Sequence, residues 1–131
     1  MNRAFLIISS AIALAGCMEE TVMTGGTPQT ATTEELCKIV HWKGNGFDYG
    51  ADAALTELTR RGEFTLRELD GIRNGLPRIG DSEKAALCGQ GFFYDDVNTT
   101  TTASGTRKQY AFRDNGLFVY TEQGVVSAIQ T

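Results

Sequence analysis

Few side chains in this sequence could do chemistry. The chain carries three cysteines, Cys17, Cys37 and Cys88, and a single histidine, His41. One imidazole leaves no second histidine for acid–base work. A Ser-His-Asp triad around His41 would need partners far along the chain, and no G-x-S-x-G turn is present. His41 follows Cys37 by four residues, a spacing that puts both on one helix face and within reach of one metal. No C-x-x-C accompanies the pair, so His41 is read as an ordinary helix-surface residue. Asp95-Asp96 is a carboxylate pair, but neighbours on extended chain face opposite ways, and a turn or cap before Val97 is the role expected. The glycine-rich stretches KGNG and GQGFF lack the strand–turn–helix setting of a phosphate cradle. The run Thr99 to Thr102 reads as a strand with a hydroxylated exposed face, without the repeats an ice- or glycan-binding ladder would show. No catalytic residue, metal or cofactor is expected. The aromatic run Phe92-Phe93-Tyr94 is the remaining candidate. Three consecutive aromatics cannot all face one core, so at least one is expected to point outward as an anchor for a protein partner. The competing arrangement buries two of them under the sheet edge. Trp42, at a helix end near Gly44, is read as core or as a similar surface anchor.

The cysteines divide by context. Arg3 precedes an apolar stretch from Ala4 to Ala13, and small residues lead to Cys17. That is the layout of a secretory signal, and it falls short of the roughly 20 apolar residues a membrane span needs. Leu14-Ala15-Gly16-Cys17 resembles the lipobox of bacterial lipoprotein precursors. The resemblance implies removal of residues 1–16 and a lipid on Cys17. Met18, where an aspartate would favour inner-membrane retention in such lipoproteins, implies the outer membrane, periplasmic face. An oxidising compartment then leaves an even remainder, Cys37 and Cys88, expected as one disulfide. Closing a loop of that length stabilises a domain by about 4 kcal/mol in the chain-entropy account.

Length and charge bound the rest. The 131 residues suffice for one domain. The formal net charge is −4, with 12 basic and 16 acidic residues, so no basic footprint for nucleic acid exists. Residues 17–31 are threonine-rich, with Gly25-Gly26 and Pro28 and no apolar period, and are expected to be a flexible tether.

The single domain is expected over residues 32–131. Thr32-x-x-Glu35 is a capping-box pattern and opens a helix with Leu36, Ile39 and Val40 on one face. A second helix is predicted from Asp48 or Gly50 to Arg61, with Ala51, Ala54, Leu55 and Leu58 as its stripe and Gly62 as its stop. Thr65-x-x-Glu68 repeats the capping box ahead of Leu66, Leu69 and Ile72, and Gly75 and Pro77 end that helix. A short fourth helix carries Ala85 to Cys88. The period then changes to two. Turn signals at Ser104-Gly105, Asp114-Asn115-Gly116 and Gln123-Gly124 separate strands near 98–103, 107–113, 117–122 and 125–130. Helices first and strands afterwards predict an α+β fold, with several short helices on one face of a three- to four-stranded antiparallel meander.

The stretches IRNGLPRIGDSEKAALCGQG, VNTTTTASGTRKQYAFR and LFVYTEQGVVSAIQT resemble the small outer-membrane lipoproteins of the BamE, SmpA/OmlA group. The likeness covers residues 72–131 and the lipobox, and implies helices packed on an antiparallel sheet. Here Gly80-Asp81 stands where the group has Gly-Met, Phe92 stands where it has proline, and residues 32–62 have no counterpart. No functional motif of the group matches position by position, so no binding residue is carried over. The function expected is that of a non-catalytic, lipid-anchored scaffold or outer-membrane assembly module that binds another envelope protein. The alternative is a periplasmic inhibitor or binding protein that captures a soluble enzyme.

Overall fold

The computed structural model describes residues 26–131. The signal segment, Cys17 and the first part of the expected tether lie outside the described residues.

Four helices and four strands follow in chain order: α1 Thr33–His41, α2 Ala51–Arg61, α3 Leu66–Asn74, α4 Glu83–Gly89, β1 Asp96–Thr102, β2 Gly105–Phe112, β3 Leu117–Glu122 and β4 Val125–Gln130. The predicted α+β class is the class observed. Both capping boxes form. The Thr32 side chain accepts from the Glu35 N–H while Glu35 accepts from the Thr32 N–H, and Thr65 and Glu68 do the same for α3. Glu68 also accepts from the Ser82 N–H at 2.7 Å, so one buried carboxylate closes the starts of both α3 and α4. Burial opposes its ionisation, but the N–H groups of Thr65 and Ser82 outweigh that and hold it below the usual carboxylate range.

The strands pair in sequence order, all antiparallel, as a β1-β2-β3-β4 meander. Val97, Tyr110, Val119 and Ile129 stand in one row across the sheet. Asp114-Asn115 does not form a two-residue hairpin turn. Residues Arg113–Asn115 make a 3₁₀ turn, and Gly116 closes it in the left-handed region. Asp95 and Asp96 both clasp that turn. Asp95 accepts from the Arg113 N–H at 2.7 Å, and Asp96, already the first residue of β1, pairs with the Arg113 guanidinium.

The helices do not lie side by side on the sheet. Leu36, Ile39, Val40, Ala54, Leu58, Phe64, Leu69 and Ile72 form a core among the helices, with Ala85 and Cys88 of α4. The other face of α4, Ala86 and Leu87, packs against Tyr110, Phe112, Leu117, Val119 and Val126 of the sheet. Thus α4 belongs to two cores, and α1, α2 and α3 reach the sheet through it. The Cys37–Cys88 disulfide, with sulfurs 2.04 Å apart, ties α1 to α4.

Two further expectations need correction. Leu66 was placed on the apolar stripe of α3, yet it is 80% exposed. It is the first residue of the helix, and the buried positions are instead Glu68, Leu69, Gly71 and Ile72. The ordered chain also begins before Thr32. Arg61 donates to the carbonyls of Ala31 at 2.6 Å and Pro28 at 3.2 Å, and Ala31 packs on the helical core. Residues 28–31, expected as tether, are therefore docked to α2. Arg61 is itself held by Glu57, which is buried and also accepts two bonds from Arg60. The Arg60 bonds foremost, then those of Arg61, pull the Glu57 carboxyl down to about 2 against the opposing effect of burial.

Candidate binding surface

The aromatic run begins where α4 stops. Gln90 caps the helix, and Gly91 and Phe92 both adopt left-handed backbone, φ +62° and +60°. Glycine takes this conformation freely. A phenylalanine does not, and holds it only where its surroundings enforce it. Here the Phe92 N–H donates to Leu87 at 2.8 Å, and its ring packs against both the helical core and the sheet core. Of the three aromatics expected as partner anchors, Phe92 is therefore removed: it is the wedge between the two cores.

Two consecutive left-handed residues reverse the chain and turn Phe93 back over the end of α1. Its ring passes directly over Gly91, where a Cβ would lie 2.9 Å from the ring carbons. Phe93 stacks on Trp42 with centroids 5.3 Å apart and planes 8° from parallel. Trp42 is the C-cap of α1 and Phe93 follows the end of α4, so the stack sits where the two helices joined by the disulfide end. Phe47 tilts against Trp42 at 6.1 Å, and His41 against Phe93 at 5.9 Å. The Lys38 ammonium stands 5.6 Å from the Phe93 centroid. Stacking does not bury the pair: Trp42 is 50% and Phe93 42% exposed. Tyr94, 41% exposed, faces the sheet and meets Tyr110 edge-on at 5.1 Å. Burial foremost, with the nearby Glu83 charge, pushes the Tyr110 phenol above its ordinary value.

A shallow cleft of about 90 Å³ opens beside Phe93, lined by Gln90, Asp95, Asp114 and Asn115 among others. Buried Gln90 organises it. Its amide donates to the Gly75 carbonyl at 2.8 Å and its oxygen accepts from Asn115 at 2.9 Å, joining the ends of α3 and α4 to the 3₁₀ turn.

The run 92–94 therefore supplies two exposed aromatics and one core wedge. The platform's other half, Trp42, is 51 residues from Phe93 in sequence. Nothing in residue spacing joins the two, although the predicted disulfide between α1 and α4 implied that their ends meet. His41, one residue before Trp42, places Nδ1 3.3 Å from the Gly89 carbonyl, and Cys37 is committed to its disulfide. No group of three metal-ligating side chains gathers among the described residues.

Comparison of this chain with protein-family models, with curated proteins and with solved structures gives no match.

Proposed function

We propose that this chain is a non-catalytic, lipid-anchored envelope lipoprotein whose work is to hold another protein against the Trp42–Phe93 platform, as a scaffold or assembly module. The observation that carries the reading is the platform itself. Two large aromatic rings lie stacked and half exposed on elements that a disulfide joins. Holding the rings in one arrangement lowers the ordering entropy that a partner's docking must overcome. Tryptophan, tyrosine and phenylalanine are enriched at interfaces because they bury large area with few rotatable bonds. The lipobox-like Leu14-Ala15-Gly16-Cys17 supports the anchoring half of the proposal.

The test is photo-cross-linking in the cell envelope. A photoreactive phenylalanine replaces Phe93 or Phe47, and a control replaces Thr56 on the exposed side of α2. The expected result is one adduct from positions 93 and 47 and none from position 56. Its mass spectrum then identifies an integral membrane protein, as a scaffold requires, or a soluble enzyme, as an inhibitor would. Equal labelling from all three positions overturns the assignment of this surface.

A further inference from the structure

The two edges of the sheet are treated differently. At β4, the segment before α4 closes the edge over the first half of the strand. Ser82 bridges Val125, the Gly80 N–H donates to Val126 at 2.9 Å, the Val126 N–H donates to Asp81 at 2.8 Å, and the Glu83 N–H donates to Gly124 at 2.9 Å. At β1, the far edge of the meander, nothing comparable occurs among the described residues. All seven residues of Asp96–Thr102 are exposed. The strand pairs without a bulge along its whole length with β2, and it contains no proline and no lysine. Proline, lysine, bulges and covering loops are the usual devices that keep an exposed edge from pairing with another chain. This edge has none of them, and its one charge, Asp96, sits at the end and is engaged by Arg113.

We infer that β1 is an interface with a second copy of this chain, forming an antiparallel β1–β1 pair and a continuous eight-stranded sheet about a twofold axis. The strand's sequence, Asp-Val-Asn-Thr-Thr-Thr-Thr, is compatible with itself in that pairing. With the axis at Thr99, Asn98 meets Thr100, Val97 meets Thr101 and Asp96 meets Thr102, so no like charges oppose one another. Val97, 41% exposed and outside the reach of α4, is covered by the partner's threonine methyl. Opposed threonines are favourable cross-strand neighbours. The occupant is a second copy, and assembly stops at two, because β1 is open and the start of β4 is closed. Pairing therefore satisfies the open β1 edges of both copies at once, in the closed isologous manner of a twofold dimer.

The experiment is sedimentation of the full chain in non-ionic detergent from micromolar to millimolar concentration, with hydrogen exchange measured on the same samples. The expected result is a concentration-dependent dimer in which the amides of β1 gain protection. Thr99→Lys sets two ammonium groups against each other at the axis and should raise the dimer dissociation constant at least about tenfold. Thr99→Val, which keeps the strand and removes only a hydroxyl, should leave the dimer intact. Circular dichroism verifies the fold of each variant. A monomer at every concentration overturns the inference, as does a dimer whose β1 amides stay unprotected or one that Thr99→Lys leaves as tight as before.

Discussion

Phe92, Phe93 and Tyr94 are neighbours in sequence with separate duties, and substitution should separate them. Phe93→Ala removes half of the exposed stack and leaves both cores intact. A desolvated aromatic anchor contributes about 2 kcal/mol or more to an interface, so partner affinity should fall about thirtyfold. The melting temperature should barely change. Phe92→Ala should do the reverse, lowering stability by about 3 kcal/mol through the cavity left between the cores, and affecting binding only through that loss. Parallel thermal melts and titrations with the cross-linked partner check both expectations. If Phe92→Ala melts like wild type, the wedge role is wrong. Glu57 makes a separate prediction. Its carboxyl is held at about 2, well below an unfolded value near 4.5. A depressed carboxylate contributes stability that is fully present above the unfolded value and is lost as pH falls through the folded one. The melting temperature should therefore drop between about pH 4.5 and 2, and Glu57→Gln should flatten that part of the profile. Glu63, lowered chiefly by its bond from Thr33, and Glu68 act in the same direction, so the slope should shrink without vanishing.

At the scale of the elements, the punctuation was legible. Both Thr-x-x-Glu boxes became N-caps, and Gly62 and Gly75 became left-handed C-caps. The change to a period of two and the turn signals carried the sheet, although Ala111, between Tyr110 and Phe112, is buried as they are, and cysteine parity carried the disulfide. What stayed hidden depends on contacts between distant parts of the chain. Glu57 reads as a surface residue of an amphipathic helix until Arg60 and Arg61 fold over it. Trp42 and Phe93 have no local pattern in common. Phe92 adopts a backbone that phenylalanine propensity argues against, because two cores compete for its ring. Gly71 shows the same limit: within a helix it looks like a weak point, but a Cβ there would lie 2.7 Å from the Leu76 carbonyl oxygen. Gly71→Ala should thus destabilise by about 1–3 kcal/mol instead of stabilising the helix as an exposed glycine-to-alanine change does. Chemical denaturation of the variant decides the sign. The disulfide joins the same elements, so Cys88→Ala should cost about 3–4 kcal/mol and loosen α1 against α4. Partner affinity should fall with it even under conditions where the domain stays folded, because the stack joins the C-cap of α1, Trp42, to Phe93 in the segment that follows α4.

The described residues form a two-core domain with its interface candidates on different elements: the aromatic platform at the ends of α1 and α4, and the open edge at β1. Where the domain works depends on Cys17 in the proposed reading. Residues 17 to 28 can span at most about 40 Å in any conformation, since an extended chain covers no more than about 3.5 Å per residue. Pro28 is already docked through Arg61, so a lipid on Cys17 would confine the platform to the neighbourhood of one membrane surface. More than one acyl chain there, each methylene contributing about 0.8 kcal/mol of burial, would make such attachment stable. The wild-type chain should therefore fractionate with the outer membrane and resist extraction by high salt, which releases proteins held by charge but not by lipid. Mass spectrometry should find a mature N-terminus at Cys17 carrying the lipid mass. Cys17→Ser should leave a protein that is unprocessed or released, with the Cys37–Cys88 domain still folded and, at equal concentration in solution, still able to bind the partner. A wild-type chain with an unmodified N-terminus at another residue would overturn the anchoring proposal, while the platform would remain open to its own test.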